Sequence, residues 1–279
     1  MKKRKLISAL KDTLATLAGL LIGVIIIFPV LYCVAVAFKS RAELSVFPPR
    51  ILPNSFFYLD NFRRVFQMAP LIRFMLNSVI VSGMGCILRI GFAVLAAYAF
   101  CYFNFPGKTL LFGIILGTMM LPADTLVVTN FITITRLYLL DNYLGMCVTS
   151  LAGATQMFML RQNFKTIPHS LRDAAFIDGC GDLRFLFFIV VPFSSPVILV
   201  LLVQSFITFW NAYLWPLLVT NRIEMRTVQI GVAMLTNPLD TNYTVVLAAV
   251  TLLLIPSFFL FCLLRAVVVK GIEASALVG

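Results

Sequence analysis

Charged residues are scarce in this sequence, and their scarcity excludes an ordinary soluble domain. Asp, Glu, Lys and Arg together make up 12% of the 279 residues, whereas hydrophobic residues make up 61%. The mean hydropathy is +1.00. Because a soluble domain normally carries about 25% charged residues, the composition predicts an integral membrane protein.

Residue types and motifs that carry catalysis or bind metal ions are also scarce. The chain has a single histidine, His169, and its six cysteines show no CxxC spacing. Neither a metal site nor a disulfide framework is therefore predicted. The Walker A, HExxH and GxSxG motifs do not occur. We predict no catalytic residue, no metal and no cofactor on this chain, so that any ATP in its function is hydrolysed on another chain.

Six apolar runs are long enough to cross the roughly 30 Å of bilayer hydrocarbon, which takes about 20 residues. None of them alternates with period two, so helices rather than strands are predicted. The first run is longer than the roughly 7–15 residues of a signal-peptide core, which indicates an uncleaved span. The predicted fold class is an all-α membrane protein with six transmembrane helices. The runs lie at 14–38, 77–100, 110–129, 143–160, 185–208 and 245–264.

The distribution of basic residues predicts the orientation. With the N-terminus inside, the inner segments hold twelve Lys and Arg residues and the outer segments hold nine. Five of the twelve precede the first span, which usually dominates orientation. Both termini and the loop at about 161–184 are therefore expected in the cytoplasm. The net charge of +11 is explained by basic loops at an anionic leaflet, and no nucleic-acid partner is predicted.

The segment 171–182 interrupts the apolar pattern with three aspartates, one arginine and two glycines. Ser170 and Asp173 have the spacing of a capping box, which predicts a helix start. Gly179 is expected to end this helix in the left-handed conformation, and Asp182 to cap the next helix. A short helix with small central residues suits a cleft on another protein. An ordinary amphipathic connector is the alternative.

The same segment resembles the EAA motif of ATP-binding-cassette (ABC) importer permeases. That motif reads Glu-Ala-Ala, three residues, Gly, nine residues, Ile, one residue, Leu-Pro, and every spacing is matched here. The departures are Asp173 for Glu and Val191 for Leu, which conserve the chemistry. In that family the loop forms a coupling helix that lies in a groove of the ATPase subunit. The implied coupling residues are Leu171, Asp173, Ala174, Ala175, Phe176, Asp178, Gly179, Ile189 and Pro192.

Further segments resemble the carbohydrate-uptake permeases that are similar to the smaller membrane subunit of the maltose importer. The resemblance covers nearly the whole chain and implies one permease domain, 1–279, with a core at about 71–265 and a cytoplasmic tail at 266–279. The similar segments are FPPRILPNSFFYLDNF (47–62), FMLNSVIVS (74–82), AAYAFCYFNFPGK (96–108), FWNAYLWPLL (209–218) and VVVKGIEASALVG (267–279).

The resemblance also implies the partners of a type I ABC importer in a bacterial cytoplasmic membrane. Two homologous permeases form a heterodimer around the path, and two ATPase subunits, which bind ATP and Mg, dock on their cytoplasmic loops. An extracytoplasmic binding protein delivers a sugar or oligosaccharide, and closure of the ATPase dimer drives alternating access. The tail residues implied to contact the ATPase are Lys270, Gly271, Ala274 and Ser275.

Candidate residues for the translocation path or a gate come from polar and aromatic positions in the runs. Arg89 lies mid-span, where a bare charge costs roughly 2.5–3.5 kcal/mol. It is therefore expected to face the bundle interior or water, either as a partner for the sister subunit or in the path. Trp210, Asn211, Tyr213 and Trp215 cluster at the outer end of the fifth run. An interfacial aromatic belt is the alternative for this cluster.

Two other functions remain open from the sequence. The same machine would import glycerol 3-phosphate or a related phosphorylated polyol if a basic cluster faced the path, and Arg89 is the only residue that suggests one. A secondary transporter or channel without an ATPase is disfavoured, because no paired intramembrane carboxylates indicate ion coupling.

Overall fold

The structure is a computed structural model that describes the backbone of residues 2–236 and 241–276. Side chains are described for 13–122, 125–236 and 241–259, and within these limits every regular element is helical. In chain order the α-helices are α1 (Lys2–Ala37), α2 (Arg41–Leu44), α3 (Asp60–Met68), α4 (Leu71–Tyr102), α5 (Lys108–Thr118), α6 (Val127–Arg136), α7 (Tyr143–Cys147), α8 (Ala154–Phe164), α9 (His169–Ile177), α10 (Asp182–Phe185), α11 (Val191–Phe193), α12 (Ser195–Trp210), α13 (Leu214–Val219), α14 (Val228–Met234) and α15 (Tyr243–Ala276).

The chain divides into two compact units. Unit one comprises 1–71 and 232–256, and unit two comprises 72–231 and 257–279. The all-helical class predicted from the apolar runs is confirmed for the described residues. The coupling-helix loop and the path candidates named from the sequence belong to unit two.

Unit one is organised around Asn61, a buried residue of α3. Its amide nitrogen Nδ2 donates to the carbonyl oxygens of Ala37 at 2.8 Å and Lys39 at 2.7 Å, where α1 ends. Its Oδ1 accepts a hydrogen bond from the hydroxyl of Thr244 at 2.9 Å, at the start of α15. One amide thus satisfies carbonyls that the end of α1 leaves free and ties that end to two other helices.

Two charged side chains order the segment between α1 and α3. Lys39 is 2% exposed, and its ammonium donates to the carbonyl of Arg50 and lies 5.4 Å from the centre of the Tyr32 ring. Glu43 accepts a hydrogen bond from the backbone N–H of Asn54 at 3.0 Å. The buried ammonium of Lys39 therefore holds the chain at Arg50, and the carboxylate of Glu43 holds it at Asn54.

Two described helices are long and apolar enough to cross a membrane unaided. They are Thr13–Ala37, within α1, and α4. Two further pairs pass the same test as broken spans, which gives up to four. The third run predicted from the sequence is divided, because α5 ends at Thr118 and Pro122 follows before α6 begins. A residue that precedes proline is disfavoured in a helix. The count of six spans and the orientation stay predictions.

The first broken span consists of the pair Tyr143–Ser150 and Ala154–Phe164, which meet at 58°. Gly153 lies at the break, and a Cβ there would lie 2.4 Å from the Oε1 of Gln156 and 3.1 Å from the Cγ of Arg89. Only glycine therefore fits this position without displacing a neighbour. The break lets side chains from α4 and α8 approach the backbone.

The second broken span consists of the pair Asp182–Phe193 and Ser195–Trp210, which meet at 80°. A π-helical turn, Leu186–Val190, precedes the bend. Pro192 and Pro196 cannot donate an amide hydrogen, and sharp kinks in helices occur at prolines and at π-turns. The sequence predicted one run across 185–208, but the prolines bend it into two directions.

One apolar core of unit two is relevant to function. It is formed by residues of α4, α8, α9, the π-helical turn and α12. Aromatic side chains dominate it at the C-terminal end of α4. Phe185 is fully buried, with its ring 5.7 Å from the ring of Tyr102 and 6.2 Å from that of Phe176. Helix α9 packs on this apolar core.

Candidate functional site

The helix α9 carries the first half of the EAA-like segment, and its start differs from the prediction. The helix begins at His169, with Pro168 at the N-cap position and no side-chain cap. Ser170 is therefore already inside the first turn, so the predicted capping box between Ser170 and Asp173 is wrong. The fixed φ of proline, here −59°, positions the chain for the first turn without a side-chain hydrogen bond.

The end of α9 is the one predicted for Gly179. Its φ is +78°, a conformation that glycine adopts without steric cost. The N–H of Gly179 donates to the carbonyl of Phe176 at 3.1 Å, and the N–H of Cys180 donates to that of Ala175 at 2.9 Å. This pair of hydrogen bonds is a Schellman motif. Gly179 therefore stops α9 after nine residues and turns the chain toward α10.

The two faces of α9 have different surroundings. Ala175 is 8% exposed and belongs to the apolar core with Phe185. Ile177 is 86% exposed and Phe176 is 40% exposed. The small side chain of Ala175 therefore permits close packing inside this chain, and Ala174 is the exposed small residue. The exposed residues of the predicted coupling set on α9 and its cap are Leu171, Asp173, Ala174, Phe176, Asp178 and Gly179.

Asp182 occupies a different position from the one predicted. It is the first residue of α10, and Gly181 is the N-cap without a side-chain hydrogen bond. The carboxylate of Asp182 accepts a hydrogen bond from the hydroxyl of Tyr98 at 3.0 Å and pairs with Arg172 at 3.4 Å. The prediction of an N-cap at Asp182 is wrong, because side chains from α4 and α9 bind its carboxylate.

The last two residues of the EAA-like segment lie at the bend rather than on α9. Ile189 is in the π-helical turn and Pro192 is in α11. Ile189 packs against the apolar core of unit two, whereas Pro192 is exposed. The motif thus combines a short helix, a glycine cap and a proline bend, each of which has a local structural cause.

Arg89 has partners inside its own chain. Its Nε donates to the carbonyl of Ser150 at 2.7 Å, where the first broken span is interrupted. Its guanidinium carbon lies 4.7 Å from the centre of the Phe209 ring, a cation–π distance. The arginine therefore satisfies a carbonyl freed by the break, and its role in the path stays a prediction.

The four residues at the end of the fifth run have different surroundings. Trp210 is buried and stacks on Phe206, with ring centres 5.8 Å apart. Trp215 donates its indole N–H to the carbonyl of Gly145 at 3.2 Å. Asn211 is exposed and accepts from the amide of Gln229 at 3.4 Å, and Tyr213 is exposed. Both tryptophans are thus engaged in packing, whereas the asparagine and the tyrosine face outward.

An apolar cavity of about 520 Å³ lies beside the first broken span. Ala93 and Ala96 of α4 and Met157 of α8 line it, together with the hydroxyl-bearing Thr118 at the end of α5. Apolar walls offer few hydrogen bonds to a polyhydroxylated ligand. This cavity is therefore not a sugar-binding site of the usual chemistry.

Sequence reasoning missed Tyr98, Arg172 and Asn77. Asn77 is buried and donates to the carbonyls of Glu224 at 2.7 Å and Arg226 at 2.9 Å. The available signal was the polar or charged residue next to or within an apolar run, since such residues require partners. Only the fold shows which partners they have.

The predicted tail contacts, Lys270, Gly271, Ala274 and Ser275, have side chains outside the described residues. The backbone of α15 continues as a helix to Ala276.

A known family matches most of the region that contains these elements. The model of the family described as "Binding-protein-dependent transport system inner membrane component" matches residues 89–273, from Arg89 through the whole of α9 and the bend. The chain belongs to this family. The resemblance to ABC-importer permeases, first suggested by the EAA-like spacing, is thereby confirmed, and the protein is a non-catalytic inner membrane component of a binding-protein-dependent transport system.

Relatives of this inner membrane component are similar over nearly their whole length. The "sn-glycerol-3-phosphate transport system permease protein UgpE" of Yersinia pestis bv. Antiqua (strain Antiqua) is 35% identical over 266 residues, which cover 92% of this chain and 94% of that protein. The protein of the same name from Escherichia coli O1:K1 / APEC is 32% identical over 265 residues, with the same coverage.

Two solved structures share the fold of the inner membrane component. One is described as the "Crystal structure of a bacterial ABC transporter involved in the import of the acidic polysaccharide alginate"; the TM-score is 0.81 at 22% identity, over 92% of this chain and 96% of that chain. The other is a bacterial alginate ABC transporter in complex with an alginate pentasaccharide-bound periplasmic protein, with a TM-score of 0.62 at 16% identity, over 95% and 94%.

Proposed function

We propose that this chain is one of two homologous membrane subunits of an ATP-driven importer for a sugar or oligosaccharide. The chain pairs with a second permease as a heterodimer, and a binding protein delivers the substrate from outside. Two ATPase subunits hold ATP and Mg, whereas this chain binds neither. Membership of the inner-membrane-component family supports the assembly.

The observation that carries the proposal is the exposure of large apolar side chains on α9. Leu171, Phe176 and Ile177 are large apolar residues, and each is at least 39% exposed. Ala175 is buried, so α9 packs on the core, and Ile177 projects from the opposite side of the helix. A short helix of this kind fits an apolar groove, which on this proposal belongs to the ATPase subunit.

The proposed topology has six spans and both termini in the cytoplasm. The twelve basic residues of the inner segments, five of which precede α1's apolar part, support this orientation. The topology places α9 on the cytoplasmic side, where an ATPase subunit is accessible. The loops at 137–142 and 219–228 then face the binding protein.

The substrate of this importer is proposed to be a sugar, and glycerol 3-phosphate is the second candidate. The second candidate is favoured by the names of relatives that are 32–35% identical over 92% of this chain. A phosphate group calls for free cationic donors. The Nε of Arg89 is bonded to Ser150 and its guanidinium lies on Phe209, which favours the neutral substrate.

The first experiment tests assembly and docking. We would co-express the chain with its partner permease and ATPase and compare wild type with Ile177→Asp, which places a charge on the exposed face of α9. The variant is expected to lose the ATPase subunit during purification while the membrane dimer remains. Asn104→Asp, an exposed residue in another predicted cytoplasmic loop, is the matched control. Equal ATPase retention in all three proteins would contradict the docking role.

The second experiment identifies the substrate. Reconstituted vesicles with the cognate binding protein would be supplied with labelled monosaccharides, oligosaccharides and glycerol 3-phosphate, with and without ATP. ATP-dependent uptake of one sugar class is the expected result. Uptake of glycerol 3-phosphate alone would replace the sugar proposal by the second candidate, and uptake that needs no ATPase would indicate a secondary transporter.

The tail is proposed to contact the ATPase subunits through 270–275. Deletion of 274–279 is expected to lower transport while the complex still assembles, because the main docking element is α9. Transport at the wild-type rate would assign these residues to an ordinary chain end.

A further inference from the structure

Three elements of unit two meet at one carboxylate. Tyr98, a buried residue near the C-terminal end of α4, donates its hydroxyl to the Oδ1 of Asp182 at 3.0 Å and to the carbonyl oxygen of the same residue at 3.2 Å. Arg172 of α9 pairs with the same Oδ1 at 3.4 Å. We call Tyr98, Arg172 and Asp182 the clasp; it joins α4, α9 and α10.

The surroundings of the clasp strengthen its polar contacts. The guanidinium of Arg172 lies 5.3 Å from the centre of the Tyr102 ring and 5.0 Å from that of Phe176. The side chains of Arg172 and Asp182 are only 27% and 39% exposed. Aromatic rings on the guanidinium reduce its contact with water, and hydrogen bonds to charged groups are stronger than neutral ones.

The clasp adds directional polar contacts to the junction of α4, α9 and α10, where aromatic packing supplies the apolar contacts. The ring of Phe185 lies between Tyr98, Tyr102 and Phe176, at 6.5, 5.7 and 6.2 Å between ring centres. Apolar packing is less directional than hydrogen bonding, so the rings alone define the position of α9 less precisely than hydrogen bonds do. A hydroxyl and a guanidinium on one carboxylate oxygen fix the position of α9 relative to α4.

We propose that the clasp is the element that transmits movement of α9 to α4. This inference rests on the proposed coupling role of α9. When the ATPase subunits displace α9, the carboxylate of Asp182 moves with it, because α9 and α10 are joined by the four-residue connection 178–181 and by the Arg172 ion pair. The hydroxyl of Tyr98 then carries the displacement into α4, which is one of two unbroken apolar spans found among the described residues. The clasp residues are positioning residues and touch no substrate.

The EAA-like positions do not include the clasp. Tyr98 lies 84 residues from Asp182 in sequence, and neither Arg172 nor Asp182 belongs to the Asp-Ala-Ala, Gly, Ile and Pro positions of the motif. The motif residues determine where α9 ends and how it packs on the core, whereas the clasp connects α9 to α4.

The test compares hydroxyl removals at two tyrosines one turn apart on α4. Tyr98→Phe removes the clasp hydrogen bond and keeps the ring. Tyr102→Phe is the matched control, because the hydroxyl of Tyr102 donates to the carbonyl of Phe164 on α8, at 3.2 Å, and not to Asp182. Asp182→Asn removes the charge, and Asp182→Glu tests rescue by the conservative variant.

The readout is the coupling ratio, the number of substrate molecules transported per ATP hydrolysed in reconstituted vesicles at equal subunit content. Tyr98→Phe and Asp182→Asn are expected to lower this ratio by about fivefold or more while ATP turnover persists. Tyr102→Phe is expected to keep the wild-type ratio, and Asp182→Glu to recover part of it. A merely structural defect lowers transport and ATP turnover together and leaves the ratio unchanged.

Wild-type coupling ratios in both Tyr98→Phe and Asp182→Asn would refute the proposed role of the clasp and leave the proposed function intact. If the wild-type complex itself shows no binding-protein-stimulated ATP turnover, the proposed function is wrong. The proposed role of the clasp, which depends on that function, is then wrong as well. Should Asp182→Asn not assemble, Tyr98→Phe decides the question, because it removes a single oxygen atom and keeps the ring that packs near Phe185 and Tyr102.

Discussion

Tyr143 donates its hydroxyl to the Oδ1 of Asn77 at 2.8 Å. The bond fixes the orientation of the Asn77 amide, so that its nitrogen points at the carbonyls of Glu224 and Arg226. The loop that carries these carbonyls is also held by Asp141, whose Oδ1 accepts from two backbone N–H groups at 221 and 222, at 2.7 and 2.8 Å. A buried amide at the start of α4 therefore anchors a loop about 150 residues away in sequence.

Asn77→Asp is expected to destabilise unit two by about 1–3 kcal/mol, because it removes two donors and sets a carboxylate against two carbonyl oxygens. The measurement is the thermal unfolding temperature of the detergent-solubilised protein, together with protease cleavage in the loop at 219–228. Asn104→Asp, at an exposed position, controls for the added charge. An Asn77→Asp protein with the wild-type unfolding temperature and cleavage rate would show that the amide is not the anchor.

Tyr138→Gly is expected to stabilise the protein by about 0.5–1 kcal/mol. Tyr138 has a φ of +56°, which costs a residue with a Cβ about 1–2 kcal/mol, partly offset by the greater chain entropy of glycine. Its side chain is 92% exposed, so little packing is lost. Tyr213→Gly is the control, because Tyr213 is exposed but has a φ of −117°, and there the substitution is expected to destabilise. Equal effects of the two substitutions on the unfolding temperature would refute the explanation.

Neighbouring alanines of α9 are expected to respond differently to arginine. Ala175→Arg forces a charged side chain into the apolar core and is expected to lower the unfolding free energy by about 3 kcal/mol or more. Ala174→Arg, on the exposed side, is expected to change it by less than about 0.5 kcal/mol and to weaken ATPase attachment. Unfolding temperature and ATPase copurification separate the two effects. If both variants behave alike in both measurements, the assignment of the two faces is wrong.

The segment 40–54 is expected to loosen at acid pH through Glu43. The backbone N–H of Asn54 and both donors of Ser40 bind the carboxylate and hold the pKa of Glu43 below its ordinary value of 4.5. Because the folded pKa is lowered, the stabilisation is complete above the ordinary pKa and is lost as the pH falls through the lower folded value. Amide hydrogen exchange of this segment, corrected for the intrinsic pH dependence, measures the loss. In Glu43→Gln the acid-dependent change is expected to disappear; its persistence would assign it to another group.

The parts of the site that the sequence predicted depend on local chemistry. Gly179 predicts a left-handed cap, because no other residue adopts that conformation as readily. Pro192 and Pro196 were expected to lie within one continuous span, whereas the structure bends there by 80°. The start of α9 was predicted wrongly for an equally local reason, since Pro168 supplies the first turn without the side-chain cap expected at Ser170.

The rest of the site depends on pairs of residues that are distant in sequence. Asp182 looked like a helix cap, and only the fold brings Tyr98 to its carboxylate across 84 residues. Arg89 was recognised as needing a partner, but its acceptor, the carbonyl of Ser150, exists only because a span breaks there. Prolines and glycines in the sequence show where a helix bends or ends, whereas the packing of neighbouring helices determines the angle of the bend.

The uninterrupted course of α4 has a mechanical consequence. Asn77 and Tyr98 are 21 residues apart on a helix without proline, which corresponds to about 32 Å of axial length. One end holds the loop at 219–228, and the other holds the clasp. A tilt of about 10° around the midpoint of such a rod displaces its two ends by about 3 Å in opposite directions. A rigid α4 that tilts about its midpoint would therefore move the loop at 219–228 and the clasp by equal distances in opposite directions.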